Sequence, residues 1–376
     1  QVQKKALFTH SVHLQQILQY IKDKDFVSNT LNNIDFPAED DKFQEKETKR
    51  NKYKIADVVL DTPYIKMNIS NVPSIQNKQI LRGLILNNVV VSMPYQFNNN
   101  NYLRAVIALK IDQLSPHMFS SCYNLEYIKL KCLTLSNGLL KIENNIKTIP
   151  ACCFFNHHTH ITHIQLNKVQ VVEDSAFFYC SKLQFVDGPQ VTHVHNQSFS
   201  TCIQLRDFNF PNLCYFGYYA FNELSLVKKI SISSQFRFKM KNREFFKCTQ
   251  LTFVYLKSVT SLGVQSFASC PNLRGCIFSS AELVEKSCFQ DCSKLVWVEA
   301  PIVKAVLSNS FTDCKTLNRI WFDSNFIYEK DSFLGCRALN RKAKLDKRKY
   351  HRITGQYKKI CKYVHYLTGI GKIQTD

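Results

Sequence analysis

The stretch Gln265-Ser266-Phe267-Ala268-Ser269-Cys270-Pro271-Asn272-Leu273 places Phe, Cys and Leu three residues apart. It is repeated in kind at Ser175-Ala176-Phe177-Phe178-Tyr179-Cys180-Ser181-Lys182-Leu183. Working outward, Phe recurs at 177, 199, 221, 245, 267, 289, 311 and 333, and every step but one is 22 residues. Upstream, Phe155, Phe119 and Phe97 extend the series, with one 36-residue interval that implies an insertion around Ser136 to Lys147. Ile75 continues the phase more weakly. A fixed period of this length is the mark of a repeat architecture, in which one repeat cannot bury its apolar face alone and must stack on the next.

Each Phe carries a train of partners. Cys follows three residues on, at Cys122, Cys180, Cys202, Cys248, Cys270, Cys292, Cys314 and Cys336, and Leu six residues on, from Leu103 to Leu339. Positions nine and eleven are mostly apolar, as in Val254 with Leu256, and so are fourteen and seventeen, as in Val303 with Val306. Intervals of three fit a tight helical turn, and the later interval of two fits a short strand. Leu-x-x-Val-x-Leu is the strand signature of leucine-rich repeats. The expected fold is an α/β solenoid. It is a curved leucine-rich-repeat rod of about 10 to 12 repeats, with a parallel concave sheet and short helical turns or loops elsewhere.

The two quoted segments resemble the BspA-like, Treponema-type leucine-rich repeat, whose core reads A-F-x-x-C-x-x-L-x-x-V-x-L-P. Pro189, Pro211 and Pro301 match its proline after the strand. The resemblance covers residues 75 to 340. It implies a protein that binds other proteins, with many members acting as surface adhesins and surface antigens, and so a cell-surface location. On the sequence alone no charged-then-apolar leader is read and no stretch approaches 18 apolar residues, so the cytoplasm is the expectation there.

The 15 cysteines would suit a disulfide framework in a small secreted domain, but eight fill one inward slot, where a thiol acts as a small hydrophobe. His157, His158, His160 and His163 beside Cys152 and Cys153 carry the residue types of a metal site. The phase instead puts His158 in the ladder slot of the cysteines and Ile161 in that of the leucines, so a degenerate repeat is the preferred reading. No phosphate loop, nucleophile elbow or carboxylate pair beside a His is found. The expectation is a non-enzyme without cofactor or metal.

In a strand alternate residues face outward, so the positions eight, ten and twelve after each Phe should line the open sheet. That selects Tyr127, His163, Phe185, Phe253, Tyr255, Trp297, Arg319 and Trp321 as candidate partner-binding residues, including both tryptophans of the chain. Trp, Tyr and Arg are the residue types that anchor protein interfaces; strand propensity alone would also collect aromatics here.

The net charge of +20 is concentrated. Residues Arg337 to Lys362 hold eleven Lys or Arg against the single acid Asp346. Lys344, Lys347, Arg348, Lys349, Arg352, Lys358, Lys359 and Lys362 form a basic tail on an amphipathic pattern, which suits either a cap on the last repeat or contact with nucleic acid or an anionic membrane. The expected organisation is an N-terminal helical cap at 1–36, a charged linker at 37–54, the solenoid at 55–340 and the basic cap or tail at 341–376. A protein is the primary expected partner, through the concave face. The alternatives are nucleic acid or an anionic membrane through the tail, and use as an intracellular adaptor.

Overall fold

In the computed structural model, the described residues are the strands at 53–55, 58–60, 64–67 and 83–86, and then 89–143, 145–157 and 160–342. The chain divides into two compact units, Gln1–Gln190 and Val191–Asp376.

The first unit is built on one ladder of short strands. Its members in spatial order are Tyr64–Met67, Gly83–Leu86, Ala105–Ala108, Tyr127–Leu130, Leu133–Ser136, Leu139–Ile142, His163–Gln165 and Phe185–Asp187. All pair in parallel except Leu133–Ser136, which runs antiparallel to both neighbours. This is the insertion announced by the long Phe interval. It is a hairpin that joins the ladder, and its second strand takes up the register of the next turn at His163. A second ladder pairs Thr148–Ile149 with Val171–Val172. An antiparallel pair, Tyr53–Ile55 with Val58–Leu60, precedes them.

The second unit repeats the plan. Lys229–Ile232, Phe253–Leu256, Gly275–Ile277, Trp297–Glu299 and Arg319–Trp321 form a parallel ladder in that order. Phe238–Lys239, Val259–Leu262, Leu283–Val284, Ala305–Val306 and Ile327–Tyr328 form another. The second ladder explains the apolar position seventeen after each Phe: Leu262, Val284 and Val306 are all fully buried.

The segments around each Phe, expected as helical turns or loops, are runs of tight turns with left-handed residues on both sides of the ring. Gln265 and Ser269 flank Phe267 at φ 55 and 56, and Ser287 and Asp291 flank Phe289 at φ 52 and 62. The alternation lets backbone N–H groups reach the next turn. Gln265, Phe267 and Ser269 donate to the carbonyls of Lys286, Cys288 and Gln290 at 3.0, 2.9 and 2.8 Å, a third ladder in each repeat. A left-handed non-glycine residue costs about 1 kcal/mol, while burying one Phe returns about 2–3 kcal/mol. Burial therefore outweighs the strain in each turn, because Leu and Cys are buried with the Phe.

The phenylalanines stack face to face. Within the first unit Phe97, Phe119, Phe154 and Phe177 stand 5.2 to 5.6 Å apart between successive centroids. In the second unit Phe267–Phe289 and Phe289–Phe311 are 5.4 and 5.0 Å apart with rings within 9° of parallel. One assignment from the period is corrected here. Phe154, fully buried between Phe119 and Phe177, is the stacking ring, and the left-handed pair at Cys152 and Asn156 brackets it. Phe155 points to the turn surface, half-buried against Phe178. The shift moves the thiol slot to His157, which is fully buried, whereas His158 lies outside the described residues. A residue extra between Phe154 and Ile161 lets Ile161 keep its buried place.

Candidate partner-binding face

The alternation expected of an open sheet is present. His163–Gln165 and Phe185–Asp187 each show the outer, inner, outer pattern, and Lys229–Ile232 alternates exposed and buried along its length. In the first unit the structure brings His163 and Phe185 together, stacked 5.1 Å apart, with Thr162 Oγ1 2.9 Å from His163 Nδ1. Phe185 is 40% exposed. Tyr127 departs from the expectation. It is 5% exposed, held in register with Ala105 and followed directly by the inserted hairpin, so it offers no accessible ring.

The second unit gathers the rest. Register sets Phe253, Gly275, Trp297 and Arg319 side by side in one column, and Tyr255, Ile277, Glu299 and Trp321 in the next. Gly275 has a particular role. A Cβ there would fall 2.4 Å from Cε2 of Trp297, so only glycine lets the indole lie back across the sheet. Lying there, Trp297 reaches Phe253 at 6.2 Å and meets Trp321 edge-on at 6.1 Å. Trp297, Phe253 and Tyr255 are half-buried, and Trp321 is 48% exposed. Aromatic pairs in this separation range, tilted or edge-to-face, favour one another by about 0.5–1.5 kcal/mol beyond area burial. The cluster is thus an ordered platform with one ring standing clear. The eight basic tail residues lie outside the described residues.

Sequence reasoning placed Lys229 on the outward column but did not single out the cations that surround the platform. Lys228, Lys229, Lys257 and Arg274 are exposed around it alongside Arg319, and the signal was available in the positions seven, eight and twelve of each repeat. It also missed a stack on the turn surface of the first unit, Phe155 on Phe178 at 5.1 Å beside Tyr179. The doubled Phe in both repeats marks it.

The histidine and cysteine cluster is spread over several environments. His157 is buried edge-on to Phe154, His160 sits 3.6 Å from Glu126, His163 stacks on the sheet face, and Cys153 is in the core. Burial lowers the His160 pKa against the opposing pull of Glu126. Among the described residues no group of three or more His, Cys, Asp or Glu is placed to hold a metal ion.

The slot thiols have a structural role that the chemistry makes plain. Sγ of Cys122, Cys270, Cys292, Cys314 and Cys336 lies 2.8 to 3.3 Å from the carbonyl oxygen of the ladder Phe one turn earlier. Burial pushes the Cys122, Cys180 and Cys292 thiols up to about 12, so they stay protonated and donate.

A stack of short repeats with parallel ladders, buried Phe, Cys and Leu layers and one aromatic sheet face is a leucine-rich-repeat solenoid. The BspA type Leucine rich repeat region matches in 6 copies, at residues 81–184, 131–223, 170–296 and 276–348. The chain belongs to that family. Among solved structures it is similar to a leucine-rich repeat protein from Bacteroides ovatus, at 18% identity, TM-score 0.41, covering 73% of this chain and 85% of that one. A leucine rich cell surface protein from Faecalibacterium prausnitzii matches at 15% identity, TM-score 0.37, covering 72% and 86%. A leucine-rich repeat protein from Eubacterium ventriosum matches at 14% identity, TM-score 0.44, covering 73% and 90%. No curated protein matches the chain.

Proposed function

We propose that this chain is a non-enzymatic interaction or adhesion module that binds a protein through the first-ladder face of its second unit. The observation that carries the reading is the convergence of Phe253, Tyr255, Trp297, Arg319 and Trp321 on adjoining positions of one regular sheet. Regular sheets seldom present two indoles to solvent without a use for them, and Trp, Tyr and Arg dominate interface hot spots. His163 and Phe185 are assigned to the same role in the first unit. In the same proposal residues 1–36 and 341–376 close the two ends of the repeat run, as terminal segments of solenoids do. Pull-down with the full chain and with the Trp297→Ala/Trp321→Ala variant tests it. Loss of the captured protein from the variant, with the fold unchanged by circular dichroism, is the expected result; equal capture by both would overturn it.

A further inference from the structure

Charge is handled differently on the two ladders of the second unit. On the second ladder three cations are matched: Arg237 and Lys304 each stand 3.1 Å from Glu282, and Lys239 stands 3.7 Å from Glu285. On the first ladder Lys228, Lys229, Lys257, Arg274 and Arg319 are all exposed. None of them takes part in an ion pair among the described residues, where such pairs are found on the other ladder. At the outward positions of these five strands the acids are two, Glu299 and Asp323, with Asp207 exposed at the matching position one repeat before Lys229, and an oxygen of Asp323 already accepts the N–H of Asn325. Five cations with two acids surround four aromatic rings. A side chain that could have found a carboxylate by a substitution one column away, as on the opposite ladder, is here left for an anion from outside.

Resting on the docking face of the proposed function, we infer that its partner is a protein segment rich in Asp and Glu that also carries an apolar or aromatic anchor. The anchor packs against the Phe253, Trp297 and Trp321 rings, and the carboxylates meet the guanidinium groups of Arg274 and Arg319, which hold carboxylates in two-point contact, and the ammonium groups of Lys228, Lys229 and Lys257. The sign of charge excludes one internal occupant. Residues 343–376 carry nine Lys or Arg and two Asp, so the chain's own C-terminal segment would be repelled from this face. Attraction between the exposed cations and the segment acts across a screened surface, so it raises the association rate at low salt and weakens as ionic strength rises.

The test uses the full chain, and a full chain with the eight tail cations Lys344 to Lys362 named above changed to Gln. The probes are a fluorescent Glu-rich peptide containing one Phe, its Lys-rich counterpart, and poly(U). Binding of the Glu-rich peptide by both proteins, salt-sensitive and weakened at least about tenfold by Arg274→Glu/Arg319→Glu, supports the inference. Binding that vanishes in the tail-neutralised chain, or that goes to poly(U) and not to the peptide, overturns it. The pull-down of the preceding section separates the two levels. A partner lost on Trp297→Ala/Trp321→Ala but kept by the double Arg variant overturns the acidic class and leaves the face standing. A partner kept by both variants overturns both.

Discussion

The thiol of Cys292 donates to the carbonyl oxygen of Phe267, one turn earlier, at 3.1 Å. One repeat on, the carbonyl oxygen of Phe289 accepts both the thiol of Cys314 at 3.1 Å and the backbone N–H of Cys292 at 3.2 Å. A slot thiol placed as Cys314 is does two things. It fills a fully buried site of small volume, and it supplies the second hydrogen bond of a buried carbonyl.

Replacing Cys292 by Ala should cost about 1–3 kcal/mol, the sum of a small cavity and a lost donor. Urea denaturation of the variant measures it. The same geometry makes the ladder thiols inert. With burial holding the Cys292 pKa up to about 12, modification of Cys292 by a thiol-specific reagent at pH 8 should proceed only as fast as the chain unfolds.

Thr201 sits in the left-handed region at φ 59, a poor place for a β-branched side chain. Thr201→Gly should raise stability by about 0.5–1 kcal/mol: the relief of left-handed strain exceeds the added freedom of the unfolded chain. A lower thermal midpoint for the variant would show that the strain is not there.

Glu244 occupies the slot before Phe245, where Ala176, Ala220, Ser266 and Ser310 stand in other turns. It is fully buried, its Oε2 accepts from Ser266 Oγ at 2.7 Å, and burial raises its pKa to about 7 from 4.5. A folded pKa above the unfolded one means the protonated carboxyl favours the fold. That contribution is complete below pH 4.5 and is lost as pH rises through 7, on the order of 3 kcal/mol. Glu244→Gln should remove this slope and stabilise the protein at pH 8, as read by denaturation at pH 5.5 and 8. Equal pH slopes for the two proteins would contradict the assignment.

Gly275→Ala should lift the Trp297 indole off the sheet, since the new Cβ would fall 2.4 Å from its Cε2. The clash is with a side chain that can move, so stability should change little while partner binding falls several-fold. Isothermal titration of the partner against both proteins reads the difference.

The period of Phe, Cys and Leu made the stacked core legible, because each of those slots is filled by one residue type that burial demands. What failed to be legible has physical causes. Phe154 and Phe155 are neighbours, and the residue extra between Phe154 and Ile161 sets the 22-residue step back from Phe177 on Phe155 rather than on the stacking ring. The left-handed pairs such as Gln265 and Ser269 carry no glycine, so nothing in the residue types announced turns in place of helix. The second ladder is two residues long in most repeats, too short to show alternation. The columns of the open sheet were readable from period two, and with them Trp297, Arg319 and Trp321. Tyr127 was not, because period two marks it as outward while the ring is 5% exposed in a strand that pairs on one side with the inserted hairpin.

The chain has two tryptophans, and both stand on the proposed face, so its tryptophan fluorescence, excited selectively over the tyrosines, reports on that face alone. Acrylamide quenching with and without the captured partner is the direct measurement. In the free chain Trp321 should be quenched readily and Trp297 less so; with the partner bound both should be protected and their emission shifted to the blue. Quenching that the partner leaves unchanged, or indoles shielded already in the free chain, would contradict the account.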